Sequence, residues 1–399
     1  MTRSHWQSLL LGISAVILAT SLMVFPQEAF DASLRGLSIW WDVVFPSLLP
    51  FFIISELLIS FGVVSFLGAF MEPFMRPLFK VPGTGGFVWA MGIASGYPAG
   101  AKMTTRLWKD KRITTIEAER LVSFTNASNP LFLFGAIAVG FFHDPALGIL
   151  LAVAHYGANF FVGIIMRFHG KEEASSRSKK KLALPSVKAA FQMLHEERLR
   201  DDRPIGKILG DAVQSSVQTL LMIGGFIILF SVINEILSLL NVTAVLAMIV
   251  GVILAVFQFS SELSVPMISG LFEMTLGSQL ASLTDAPLKQ KIIITSFMLA
   301  FAGFSAQAQA GSLMAETDIR FRPFFIARCL QGVIAAILTY LCWNALYRPD
   351  GIAVFTGWGH PTVIREIWEM FLLGSPYFTL GMLVISICIF HKRRMKASI

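Results

Sequence analysis

The sequence predicts an all-α polytopic membrane protein: about eight transmembrane helices plus two re-entrant hairpins, arranged as two inverted-topology repeats. Three observations predict it. Of the 399 residues 55% are hydrophobic and only 14% charged, with mean hydropathy +0.68, whereas a soluble domain carries about 25% charged residues. Long apolar runs are interrupted by glycine, proline and amide side chains, and such breaks are tolerated at membrane depth only where protein or a water-filled cavity covers the freed backbone. Basic residues cluster between the apolar runs, as orientation signals do. The net charge of +7 therefore reads as topology, with the bilayer as partner and no nucleic acid.

Residues 1–36 form the first transmembrane helix. Arg3 and His5 precede an apolar run from Leu9 to Phe25, and Ser21-Leu22-Met23 makes a poor cleavage site, so the helix is expected to be retained. Residues 37–169 form the first repeat. Trp40-Trp41 anchors an interface and leads into a span to Phe61 that contains Pro46, Pro50 and Glu56; the proline-rich stretch 62–82 reads as a short interfacial or re-entrant helix. Phe87–Ser95 is too short to span. It breaks at Gly96-Tyr97-Pro98 and returns to Lys102, Arg106, Lys109, Lys111 and Arg112, the pattern of a hairpin that enters and leaves on one side. Thr114-Thr115-Ile116-Glu117 is a capping-box start. The helix it opens breaks at Asn126–Pro130 and resumes to Phe142; after the turn at His143–Pro145, residues 146–168 span without interruption.

Residues 170–208 are a basic cytoplasmic linker. The second repeat, 209–347, contains a span carrying Asn234 and Glu235, a turn at Asn241, the apolar run Ala244–Phe257 ending in Gln258–Ser264, and the run Ile292–Ala302 interrupted by Gly303–Gln309. Arg320, Arg322 and Arg328 mark another basic end. Residues 348–399 hold a closing span, Leu372–Phe390, and a basic tail. Glu56 and Glu235 sit in similar strings 179 positions apart (235 − 56), and the same offset carries Asn126 onto Ser305. With both termini in the cytoplasm every major basic cluster is cytoplasmic, and the Glu56 and Glu235 helices run in opposite directions.

The polar residues at the breaks are the candidate substrate site. Ser95, Gly96, Tyr97, Pro98 and Gly100 would offer freed backbone amides, with Lys102 just beyond, a combination that suits an anionic group. Asn126, Ser128, Asn129, Ser305, Gln307 and Gln309 add neutral donors and acceptors, and Ser260, Ser261, Glu262 and Ser264 are expected to answer from the second half. Glu56 and Glu235 are mid-span carboxylates, either coupling or structural. His155 reads as a satisfied core histidine. Cys329, Cys342 and Cys388 show no metal-ligand spacing, so neither metal nor cofactor is expected, although a coupling cation or proton is left open. HExxH, Walker and GxSxG motifs are absent from the sequence, and the chain reads as a non-enzyme. Transporter and scaffold readings both stand at this point.

Ser95–Ala101, Thr125–Pro130, Ser260–Ser264 and Gly303–Gln309 resemble the nucleoside-recognition Gate domain family, and nearly the whole chain resembles its sporulation members. The resemblance implies a fold similar to concentrative nucleoside transporters. It also implies a multi-pass protein of the outer forespore membrane that moves dipicolinic acid out of the mother cell, with a homo-oligomer left open. A nucleoside remains the rival substrate.

Overall fold

The computed structural model describes residues 3–170 and 187–348, and every regular element among them is helical. α1 (Arg3–Val24) meets α2 (Pro26–Ser38) where Pro26, which has no N–H to donate, starts the new helix; the axis turns there by 103°. A π-helical turn, Ile39–Val44, leads into α3 (Phe45–Ser60). α4 (Val63–Phe79), in the stretch expected to be a short interfacial or re-entrant helix, continues through Pro73 and Pro77 as one helix.

α5 (Thr84–Ser95) and α6 (Ala99–Lys109) form the first hairpin. α7 (Thr115–Thr125) starts with the full capping box: the Thr114 hydroxyl accepts from Glu117 N, and the Glu117 carboxylate accepts from Thr114 N. It ends at Asn126, and the chain resumes as a π-helical run, Phe132–Phe141, before α8 (Leu147–Met166). Beyond α9 (Val187–Arg200), Arg203 bonds both Asp201 and Asp211 at 2.6 Å, and its hydrogen bond holds the Asp201 carboxyl below its ordinary range.

α10 (Ile205–Leu239) is unbroken over 35 residues, about 52 Å at 1.5 Å per residue, and includes Asp211. α11 (Val242–Val256) starts from a left-handed Asn241. α12 (Ser264–Phe272) and α13 (Met274–Ser282) form a second hairpin. α14 (Leu288–Phe301) and α15 (Gly303–Met314) are one helix broken at Ala302, and α16 (Phe321–Leu346) closes the described part.

Among the described residues four helical stretches are long and apolar enough to cross a membrane: α8, α10, the α14–α15 pair and α16; counting each of two bent pairs as one span gives six. The span expected at Leu372–Phe390, the basic tail and Cys388 lie outside the described residues. α8, α14 and α16 meet through Ala158, Ala300 and Ala335, all fully buried, small residues that let membrane helices approach closely without a water-driven force between them. Around α4, α5, α7 and α8, Phe79 stacks on Phe124 and Trp89 on Phe160, while Phe79 meets Trp89 and Phe160 edge-on.

Candidate substrate cavity

Each half of the molecule lays a broken helix against a hairpin. In the first half, the Thr125 carbonyl at the end of α7 lies against both hairpin arms: a Cβ on Gly92 would stand 1.9 Å from it and one on Gly100 2.3 Å. The hairpin tip turns through Gly96, whose φ of +87° favours glycine. In the second half, Gly270 and Gly277 bring α12 against α13, with an added Cβ on Gly277 only 2.2 Å from Gly270 Cα. The helix break beside it is made by two successive left-handed residues, Ala302 (φ +76°) and Gly303 (φ +61°), and Gly303 packs against Met274 N and Gly270 O.

The first break is tied internally. Asn126 Oδ1 accepts from Ala101 N at 2.9 Å and its amide donates to Val122 O at 2.8 Å. Asn129 Oδ1 accepts from Phe132 N at 2.7 Å, satisfying a donor at the restarting helix. His155 Nε2 accepts from Ser128 N at 2.9 Å, so the ring is neutral with its proton on Nδ1. Tyr156 donates to Ser128 O at 2.9 Å. Arg328, on α16 and fully buried, donates to Asn126 O at 2.7 Å and to Ser123 O. A cation at a helix C-terminus meets both the orphan carbonyls and the negative end of the dipole.

The tips and breaks of both halves converge on a cavity of about 490 Å³, within the range of small-molecule sites. The first hairpin contributes Ser95, Gly96 and Tyr97, and the first break contributes Ser128 and Asn129. The second hairpin contributes Glu273, Met274 and Thr275, while Ser305, Ala306 and Gln309 come from α15. Ile39, Leu48, Ile223 and Ile227 add an apolar wall from α2–α3 and α10. Tyr97 spans the halves, donating to Leu299 O at 3.2 Å. The hydroxyls of Ser95 and Ser128 are buried without a protein partner, and buried polar groups are otherwise nearly always bonded.

A family model described as nucleoside recognition, Gate, matches residues 41–144. The sporulation integral membrane protein YlbJ of Bacillus subtilis (strain 168) is 53% identical to this chain over 408 residues, covering 98% of both. The chain belongs to the YlbJ family. A solved structure of CNTnw in an outward-facing state is 12% identical, covers 83% of this chain and 87% of that one, and gives a TM-score of 0.41, too loose a likeness to carry an argument.

In this YlbJ-family protein the structure sorts the residues singled out from sequence. Ser95, Gly96, Tyr97, Ser128, Asn129, Ser305 and Gln309 line the cavity. Pro98, Gly100 and Asn126 lie behind it and shape the break. Gln307 is buried and donates to Phe301 O at 2.9 Å across the second break. Lys102 is turned away and pairs with Glu56 at 3.1 Å; Glu235 pairs with Arg35 at 2.5 Å.

The polar stretch Ser260–Ser264 is the base of the second hairpin, where the expected counterpart of the first tip should have been. Ser260 N donates to Gln290, and Asp285 N donates to Glu262, so these side chains satisfy backbone where the hairpin opens; Ser264 bonds Ser261 O. The tip is Glu273, a residue that sequence reasoning passed over. It is buried, faces the cavity and accepts from Leu276 N at 2.7 Å as the N-cap of α13. The glycines at 270 and 277 flanking a lone acid in an apolar run repeat the Gly92/Gly100 signal about Gly96. Arg328, taken from sequence as a basic end, is the buried cap of α7.

Proposed function

We propose that this protein carries a small planar metabolite across a bilayer, with dipicolinic acid as the substrate. The observation that carries the reading is the cavity itself: both hairpin tips and both helix breaks meet there, and its lining residues Ser95 and Ser128 carry buried hydroxyls with no protein partner. Apolar walls suit a flat ring, the hydroxyls and the Asn129 and Gln309 amides suit oxygen-rich substituents, and Arg328 stands beside Tyr97 just behind the wall. The sporulation name of the Bacillus relative agrees with a spore metabolite; we read the membrane as the outer forespore membrane, with both termini on the mother-cell side. Residues 37–169 and 209–347 are read as the two inverted repeats, separated by the linker 170–208. Hairpin, broken helix and long helix recur in that order, at offsets of 177 from Gly96 to Glu273 and 176 from Asn126 to Ala302.

One observation favours a nucleoside as the second reading. Among the described residues the cavity lining has no lysine or arginine and carries one acid, Glu273, a set better matched to neutral hydroxyls and ring nitrogens than to a dianion. Uptake into proteoliposomes and thermal-shift binding with dipicolinate and uridine separate the two. Dipicolinate uptake with stabilisation supports the first reading; uridine alone supports the second. A response to neither leaves a scaffold role in spore assembly.

A further inference from the structure

Away from the substrate cavity, a polar cleft of about 670 Å³ opens at the loop end of α6, where Arg106, Asp110, Lys111, Arg112 and Arg203 form its wall. Beneath it is a small pocket of about 10 Å³ that shares Ile59 and Arg106 with the cleft, room for about one water molecule. Glu56 and Lys102 line that pocket. Their ion pair, at 3.1 Å, has side chains only 13% and 14% exposed. Lys102 also donates to Ser215 O at 3.4 Å and lies 5.1 Å from the Phe52 ring centroid, while the Ser215 hydroxyl donates to the same Glu56 oxygen at 3.1 Å.

Three elements therefore meet at one buried ion pair: α3 through Glu56, α10 through Ser215, and α6 through Lys102. α6 is an arm of the hairpin whose tip lines the substrate cavity. A buried charge pair in an apolar helix bundle is costly to keep and costlier to break on one side only. Neutralising one member changes what holds the arm in place.

We propose that Glu56 and Lys102 form a proton-binding site that couples proton entry from the polar cleft to release of the first hairpin. The proposal rests on the transport reading. A proton from water in the cleft adds to the Glu56 carboxylate and forms an O–H bond; Lys102 stays an ammonium, so the site gains one positive charge and the ion pair becomes a charge facing a neutral acid. Loss of the proton restores the pair. The other charged group facing the site is Arg106, one turn along α6 and bonded to Asp110 at 3.3 Å; on α10, Asp211 lies one turn from Ser215 and is held by Arg203.

Two other carboxylates suit the role less well. Glu119 is bound by Arg320 and His169 together, and Glu273 serves as a helix cap.

The test uses the full-length protein in proteoliposomes with labelled dipicolinate, and labelled uridine in parallel. Wild-type vesicles are expected to accumulate substrate several-fold more under an imposed proton gradient. Glu56→Gln, alone and with Lys102→Met, should keep exchange of labelled for unlabelled substrate and lose the gradient stimulation. Stimulation that survives in Glu56→Gln overturns the proposal, as does a wild type that transports but ignores the gradient. Loss of exchange in both variants with wild-type thermal unfolding makes the pair structural and likewise overturns it. If wild type moves neither substrate, the transport reading fails, and infrared difference titration of the purified protein still decides the site. A carboxyl signal that titrates in wild type and vanishes in Glu56→Gln upholds the proton site; a titration unchanged by the substitution rejects it.

Discussion

The residues that matter most at the first break are those that answer an exposed helix end. Arg328 is the clearest: two orphan carbonyls of α7 point at one guanidinium, and no water is needed to satisfy them. Arg328→Met should strand both carbonyls and cost about 3–5 kcal/mol, as breaking a buried charged contact on one side does. Arg328→Lys should not restore it, since an ammonium cannot present the same planar fork. Thermal unfolding in detergent measures both variants. The Ser95 and Ser128 hydroxyls have the opposite character, with no protein partner to lose. Ser95→Ala and Ser128→Ala should leave unfolding unchanged while weakening substrate binding, each by about 0.5–1.5 kcal/mol, roughly 2- to 12-fold in KM. Unchanged KM in both would remove the hydroxyls from the site.

Hairpins and breaks were legible in the sequence to different degrees, and the difference is physical. The first hairpin and both helix breaks were readable because glycine, proline and asparagine mark backbone that leaves the helix. The second hairpin was not, because its tip turns at Glu273 in extended geometry (φ −142°, ψ 113°), which any residue adopts. The polar run at Ser260–Ser264 attracted the assignment instead, although polar side chains serve a hairpin's base as well as its tip. What the sequence could not convey was direction: Lys102 lies six residues past Gly96 yet pairs with Glu56 on α3, a partner 46 positions away in the chain that no local spacing announces. The hairpins make a sharp prediction of their own. Gly277→Ala places a methyl on Gly270 backbone that cannot yield and should cost about 1–3 kcal/mol or more. Gly225→Ala, on α10 with open space around it, should be neutral or stabilising by up to about 1 kcal/mol. Equal effects from the two would mean that the α12–α13 contact is not tight.

At the scale of the whole molecule, α16 serves as a ruler for how the two hairpins are oriented. Beside its N-terminal end, Lys109 from the base of the first hairpin pairs with Glu316 at 2.5 Å, and Glu119 on α7 receives Arg320 at 2.6 Å. Near its other end, Lys289, just past the base of the second hairpin, sits 4.2 Å from the Tyr340 ring. Arg320 and Tyr340 are 20 residues apart along the chain (340 − 320), about 30 Å of helix and close to the thickness of a hydrocarbon core. The bases of the two hairpins thus stand at opposite ends of one apolar helix, with both tips at the cavity, the placement that the proposed inverted repeats call for. In a variant lacking the native cysteines, a cysteine at Lys111 should react with an impermeant maleimide only in inside-out vesicles, and one at Asp285 only in right-side-out vesicles; both positions are exposed loop residues. Labelling of both from the same side would defeat the inverted arrangement, because no tilt of α16 brings its two ends to one face of the bilayer.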